Sequence, residues 1–461
     1  MRAHPAGALH GDVAPLTHRQ QPAPSDLAVI DPQIWPLGAG RVDGVLHLGG
    51  VDVRDVAQQH GTPAYVTVED DFRARCRGYR AAFGDETDVY YAGKAFLSRA
   101  VVKWVADEGL SLEVFSGGEL GIALSAGFSP GRVLMHGNNK SPAELDAALD
   151  AGVGRIVVDS DIEIARLAHA AELHGIRQKV LIRVTVGVEA HTHEFIATAH
   201  EDQKFGFSIA SGAALEAARR VLMLPSLELV GLHSHIGSQI FDTAAFEVAA
   251  HRVVELLGTI RDALGVTLPE LDLGGGIGIA YVPDDDPAEV PAVAKQLRAI
   301  VDRECAATGL PTPRLAVEPG RAIAGPGTVT LYEVGTIKNV DGIRTYVSVD
   351  GGMSDNIRTA LYDADYTVTL ASRASDAQPM LCRVVGKHCE SGDVIVRDAW
   401  LPADLAPGDL LAVAATGAYC RSMASNYNAV LKPPVVAVSG GASRVIVRRE
   451  TLDDLLALDE G

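Results

Sequence analysis

The chain has 461 residues, with 40 lysines and arginines against 59 acidic residues, a net charge of −19, and a composition that is 47% hydrophobic but only 21% charged. So much apolar surface excludes a generally disordered chain, and the negative charge repels nucleic-acid phosphates and anionic membranes. No apolar run approaches the ~18 residues that span a bilayer. The N-terminus also lacks the charged-then-apolar pattern of a secretion signal, so a cytoplasmic protein without membrane or nucleic-acid partners is expected.

Residues 1–45 begin with prolines and scattered histidines without periodicity and read as a loose, partly disordered tail. The next segment, 46–70, contains the apolar run Ala64 to Val68, which is expected to join a β domain formed further along the chain. From 71 to 325 short apolar strands alternate with helical patterns. The strands are Val89 to Ala92, Leu112 to Phe115, Arg132 to His136, Arg155 to Asp159, Val180 to Thr185, Glu228 to His235, Glu270 to Leu273 and Leu315 to Glu318. Continuous apolar runs suit parallel strands covered by helices, because a sheet with one wet face would alternate polar and apolar residues.

The helices carry their own boundaries. Ser141 with Glu144, and Ser160 with Glu163, have capping-box spacing; Pro142 suits a first helical turn, and Gly152 and Gly175 suit the left-handed position past a helix end. Eight strand–helix repeats predict an α/β fold of the (β/α)8 TIM-like barrel type, with chemistry at the C-terminal ends of the strands. Beyond it, residues 326–461 turn to Val-, Thr- and Tyr-rich segments separated by Gly and Pro. Those segments, Thr328 to Tyr332, Thr345 to Val349, Met380 to Val385, Val394 to Val396 and Leu410 to Ala414, predict a C-terminal β domain, sandwich- or barrel-like, closed by a helix over Glu450 to Leu458.

Several strand ends carry chemistry. Lys94 follows the first strand and precedes a helix opening at Ser98; a lysine in such a loop is ordinarily just exposed, but here it sits where barrels place catalytic groups. Strand six ends in His233-Ser-His235-Ile-Gly-Ser238. Strand seven runs into Gly274-Gly275-Gly276, where backbone amides can approach a phosphate. The dinucleotide fingerprint fails at this turn, since the sixth position from Gly274 is Ile279, and no Lys-Ser/Thr ending makes a nucleotide triphosphate loop. Strand eight ends in Glu318-Pro319-Gly320-Arg321. An amine, an imidazole, a glycine cradle and a carboxylate at four strand ends are the parts needed to hold pyridoxal phosphate as a Schiff base.

The ordered set YAGKA, SGGEL, HGNNK, GVEAHTHEFI, KFGF, GLHSHIGSQ, LDLGGGIG, EPGR, DGGMSDN, LYDA, HCESGD, TGAYC and SNYN, spread from about Leu46 to Leu458, resembles the diaminopimelate decarboxylase family. The resemblance implies that Lys94 carries pyridoxal 5'-phosphate and that Glu318 partners its ring nitrogen. It further implies that His235 stacks on the ring while Ser238, Gly275, Gly276, Gly320 and Arg321, with Tyr419, complete the cofactor site. Arg321, Arg358, Tyr362, Glu390 and Tyr419 would meet meso-diaminopimelate, two arginines answering its distal carboxylate. Cys389 would supply the proton that replaces carbon dioxide, from a loop reaching the active site of a partner chain, so a homodimer with shared sites is expected. The product would be L-lysine, at the last step of its biosynthesis.

The long connection from Gly187 to Phe207 holds His191, Thr192, His193 and Glu194. There is no matching cysteine or carboxylate cluster, the resemblance implies an active-site lid that His193 helps close, and the length of the connection suits one, so no metal is expected. Cys76, Cys305, Cys382, Cys389 and Cys420, an odd number spread along the chain, read as free thiols rather than a disulfide framework. Val186 and Thr359 stand where the family commonly has proline, and Glu113 and Phe115 replace shorter or smaller residues. Ornithine, arginine and lysine decarboxylases share Lys94, His235, the glycines and Glu318 but are expected to carry aspartate in place of Glu390. Alanine racemase has another domain order and a tyrosine acid. A non-catalytic regulatory relative would be expected to lose Lys94, Glu318 and Cys389.

Overall fold

The structure is a computed structural model and describes residues 22–187 and 204–461. Contacts divide the chain into two compact units: one of residues 69–327 with 417–422, the other of 1–68, 328–416 and 423–461.

The first unit is the barrel. In chain order its elements are α1 (Glu69–Phe83), β1 (Thr87–Ala92), α2 (Arg99–Asp107), β2 (Ser111–Val114), α3 (Gly117–Ser125), β3 (Val133–Met135), α4 (Pro142–Ala151), β4 (Arg155–Val158), α5 (Asp161–Leu173), β5 (Gln178–Thr185), α6 (Ala213–Leu222), β6 (Leu227–His233), α7 (Ala244–Leu264), β7 (Glu270–Asp272), α8 (Val290–Thr308) and β8 (Arg314–Val317). Each strand pairs in parallel with the next, and β8 pairs with β1, closing the ring. All eight strands predicted from apolar runs are present. Tyr90, Leu134, Val157, Leu181, Val230 and Ala316, drawn from strands on opposite sides, form one buried cluster. Side chains from such strands can meet only inside the ring, so the lumen is a packed core rather than a pore.

Parallel closure puts every strand's C-terminal end on one face, and the helix caps fix the loops there. Ser98 and Ser116 accept the amides of Val101 and Glu119, and Ser141 with Glu144 forms a reciprocal capping box. The second predicted box is a correction. Ser160 accepts the Glu163 amide, but the Glu163 carboxylate turns inward to Lys140, 2.7 Å away, instead of returning to its own cap. The Coulombic attraction of a buried ammonium outweighs both the lost cap hydrogen bond and the desolvation of the carboxylate.

The second unit is mostly sheet. Its strands follow the spatial order Val394–Pro402, Pro379–Val385, Arg344–Val349, Thr328–Val340, Ala64–Val68, Val435–Ser439 and Ala442–Val447. Ala64–Val68 lies antiparallel to Thr328–Val340 and parallel to Val435–Ser439. The terminal helix is shorter than predicted, Leu452–Leu456, with Thr451 as its cap. Among the described residues no helix is long and apolar enough to cross a membrane. The five cysteines are free, four buried and Cys389 exposed.

Candidate active site

Lys94 stands two residues past β1, and its amine is 3.1 Å from Oε1 of Glu113 on β2. Burial alone disfavours the ammonium, but Glu113, Tyr419 and Glu318 outweigh it and hold the amine above its ordinary value. The longer side chain that this chain has at position 113 is therefore the counterion of Lys94. Glu113 is itself almost wholly buried, at 1% exposure.

On the neighbouring strand, Glu318 follows β8 and is gripped by two imidazoles. His136, just past β3, places Nε2 at 2.6 Å from Oε1, and His233, at the end of β6, places Nε2 at 3.4 Å from Oε2. Burial pushes a carboxyl up, yet these contacts hold Glu318 well below the usual carboxylate range. Burial pushes His233 down to about 3, so this ring is neutral. His235 is likewise pushed well below its ordinary value, by burial and by the positive charges of Lys94 and Arg183. A neutral ring there presents a flat face without a competing charge.

The triple-glycine turn after β7 is needed sterically. A Cβ on Gly275 would collide with the Glu318 carbonyl, and one on Gly276, at φ 110°, would collide with the Gly237 carbonyl. The Gly275 amide donates to His235 Nδ1 at 3.3 Å, which orients the ring. Opposite the glycines, Arg321 donates through Nε and Nη2 to Ser238 Oγ, at 3.2 and 2.8 Å, and through Nη1 to the Tyr281 hydroxyl at 2.6 Å. Its guanidinium carbon lies 4.8 Å from the ring centre of Tyr419. Tyr419 adopts φ 63°, and its amide donates to Ala95 O, beside Lys94, at 2.9 Å.

One cleft joins Lys94, His235, Ser238, Gly276, Glu318, Gly320, Arg321 and Tyr419, with Gly275 immediately behind. Arg358, Tyr362, Cys389 and Glu390 belong to the sheet unit. There Arg358 is buried and donates to the Tyr366 hydroxyl at 2.5 Å, while Tyr362 is half-buried and Cys389 and Glu390 are exposed. His191, Thr192, His193 and Glu194 lie outside the described residues.

Glu113, His136 and Asp272 were not singled out from sequence as site residues. Their signal was position: each lies at or next to the C-terminal end of a barrel strand. His136, His233 and Glu318 offer ligand atoms within 4.8 Å of one another, the spacing of a metal cluster. The His136–Glu318 contact at 2.6 Å is itself a direct hydrogen bond, which accounts for the closeness of these two atoms.

An amine, an acid on the neighbouring strand, a glycine turn and a guanidinium open into one cleft at the C-terminal end of a parallel barrel, the place where this class of enzyme binds its ligands. Residues 69–325 match the family model described as pyridoxal-dependent decarboxylase, pyridoxal binding domain. A diaminopimelate decarboxylase of Mycobacterium tuberculosis is 59% identical over 447 residues, covering 94% of this chain and 99% of that protein. One of Mycobacterium leprae is 58% identical over 474 residues, covering 100% of both. The crystal structure of diaminopimelate decarboxylase from M. jannaschii in co-complex with L-lysine superposes with a TM-score of 0.86 at 31% identity, covering 92% of this chain and 98% of that one. The chain belongs to the pyridoxal-dependent decarboxylases and, within them, to the diaminopimelate decarboxylase family.

The residues of the cleft fit the family's cofactor, pyridoxal phosphate. The glycine turn brings bare backbone to the cleft, where Ser238 and Arg321 would bind a phosphate, Glu318 would meet the ring nitrogen, and the Lys94 amine would anchor the aldehyde. When bound, the cofactor supplies an electron sink for the pair left on Cα by a departing carboxylate.

Proposed function

We propose that this chain decarboxylates meso-2,6-diaminopimelate to L-lysine and carbon dioxide, the last step of lysine biosynthesis. The observation that carries the reading is the joining of Lys94, Glu318, His235 and Arg321 in one cleft, in a chain so similar to diaminopimelate decarboxylases along its length.

The chain's residues divide the work. Lys94, with its amine against Glu113, anchors the cofactor, and Glu318 keeps the ring nitrogen protonated. His235 lies against the ring, while Ser238, Gly275, Gly276, Gly320 and Arg321 hold the phosphate with Tyr419 alongside. Arg321, Arg358, Tyr362, Glu390 and Tyr419 grip the substrate, whose distal carboxylate and ammonium need guanidinium and acid partners together. The Cys389 thiol gives its proton to the substrate Cα after carbon dioxide leaves, and the resulting thiolate is reprotonated from solvent. Cys389 and Glu390 come from a partner subunit, so the working unit is a homodimer, in the cytoplasm. Cys389 is exposed on the single chain and so accessible to a partner subunit.

The test is carbon dioxide release from meso-diaminopimelate, lysine, ornithine and arginine offered separately to purified protein. Release from meso-diaminopimelate with at most a trace from the others is expected, since missing the distal carboxylate leaves buried arginines unpaired and costs roughly four powers of ten. Release only from ornithine, arginine or lysine would overturn the assignment.

A further inference from the structure

Two carboxyl groups, one lining the cleft and one behind it, are buried together inside the ring. Asp272, at the end of β7, is 0% exposed, and Glu318 is 3% exposed. The ladder register shows how they meet. Asp272 pairs with Ala316 on β8 and with His233 on β6. Paired residues on neighbouring strands point to the same side, and Ala316 belongs to the cluster inside the ring. Glu318, two residues beyond Ala316, turns to the same side, so Asp272, His233 and Glu318 face one another. The Glu318 charge acts directly on Asp272, as it must when two buried carboxyl groups are turned toward each other.

Two carboxylates offer only acceptors, so a contact between them needs a proton. The remaining partners say which group holds it. Both Glu318 oxygens face imidazole nitrogens, His136 at 2.6 Å and His233 at 3.4 Å. Asp272 Oδ1 accepts the Gly274 amide at 2.8 Å, but Asp272 Oδ2 is buried and receives no hydrogen bond from any described residue. A buried charge with an unanswered oxygen is costly, whereas a protonated Oδ2 becomes the donor that the neighbouring carboxylate lacks. The other charged groups around the pair, Glu113 on β2, Arg183 on β5 and Lys94 after β1, do not supply Oδ2 with a donor among the described residues.

We propose that Asp272 is held as a neutral acid whose Oδ2–H donates to Glu318, so that the pair carries a single negative charge and that charge stays on the carboxylate facing the cofactor. Asp272 is then a positioning residue. It does not touch the cofactor; it fixes the orientation and charge of the residue that does. Burial and the Glu318 charge both push the Asp272 carboxyl well above its ordinary value, in the same direction. The functional half of this inference rests on the cofactor site proposed above; the protonation itself does not.

The test compares wild type with Asp272→Asn and Asp272→Ala. Infrared spectra of the cofactor-free and cofactor-loaded chain are taken one pH unit above the values of about 7 to which Glu163 and Asp355 are pushed. A protonated-carboxyl stretching band is expected in both forms of wild type and absent in Asp272→Asn; a band that persists unchanged in Asp272→Asn overturns the proposal. Cofactor affinity is read by absorbance titration, with melting temperatures checking the fold. The asparagine amide can replace the O–H donor, so Asp272→Asn is expected to keep the affinity within about threefold, while Asp272→Ala weakens it roughly ten- to a hundredfold. Equal loss in both variants would mean that a carboxylate is required at position 272, and would overturn the proposal too. Absence of cofactor binding in wild type would instead sink the reading of the cleft, leaving the infrared band to decide the protonation.

Discussion

Lys140 Nζ lies 2.7 Å from Glu163 Oε1, in a pair whose side chains are 1% and 5% exposed. The same ammonium donates to the Gly137 carbonyl at 2.6 Å and the Val157 carbonyl at 2.7 Å. This ties the loop after β3, which carries His136, to β4 and α5. Burial pushes the Lys140 ammonium down and the Glu163 carboxyl up to about 7, so the pair is bound at a desolvation cost. Glu163→Leu should cost about 3–5 kcal/mol by leaving a buried cation without its counterion, and Lys140→Met combined with Glu163→Leu should cost less than Glu163→Leu alone. Denaturant unfolding of the three variants decides it; additive losses would show that the two residues are not coupled.

In the sheet unit, Asp355 should make stability pH-dependent. Its carboxylate accepts the Tyr332 hydroxyl and, at 2.7 Å, the Gly352 amide. Burial still pushes it up to about 7, against those hydrogen bonds. An unfolded aspartate titrates near pH ~4, so the folded state binds the extra proton between about 4 and about 7. The contribution is therefore fully present below pH ~4 and lost as the pH rises through about 7, amounting to at most about 4 kcal/mol. Asp355→Asn removes this dependence, and melting curves across that window should be flatter for the variant. Parallel profiles for the two proteins would refute it.

Arg321 tests the proposed phosphate end of the cleft. Its three donors reach two hydroxyls in different directions, Ser238 Oγ and Tyr281, and its plane lies over Tyr419. A lysine keeps the charge but neither the fork nor the stacking. Arg321→Lys should lower cofactor affinity by roughly ten- to a hundredfold, with little change in melting temperature of the cofactor-free chain. Affinity equal to wild type in an absorbance titration would remove Arg321 from the phosphate site.

What could be read from sequence, and what could not, follows from how local the cause is. The barrel strands were legible because strands buried on both faces are continuous apolar runs: β1 was placed at Val89 to Ala92 and spans Thr87–Ala92. Lys94 and Glu318 were legible because a parallel barrel gathers strand ends. By contrast, the strand expected at Thr328 to Tyr332 continues to Val340. Its second half includes exposed Glu333, Gly335, Thr336, Lys338 and Asn339, and it is held by antiparallel pairing with Arg344–Val349, which leaves no apolar signature. Glu163 misled for the same reason. Its capping spacing is local, but the winning partner, Lys140, comes from another element. The grip of His136 on Glu318 spans 182 positions and follows only from ring closure.

Cys389 sits on an exposed loop that is nonetheless held firmly. Asp393 accepts the Met353 amide at 2.6 Å and the His388 amide at 2.8 Å, and the His388 ring bridges Ser354 Oγ at 2.8 Å and Asn428 Oδ1 at 3.0 Å. A loop ordered by this many hydrogen bonds presents its thiol at a defined place, which is what a donor acting in a partner's site requires. Cys389→Ala should keep the cofactor absorbance yet slow lysine formation by roughly 10²–10⁴-fold. Lys94→Ala should abolish both. If each site joins Lys94 of one chain to Cys389 of the other, mixing the two inactive variants under conditions of subunit exchange creates heterodimers with one site intact and one doubly damaged. The mixture should then recover up to about a quarter of the wild-type rate. Recovery fails if both residues of a site come from the same chain, because no exchange of subunits can then unite an intact Lys94 with an intact Cys389.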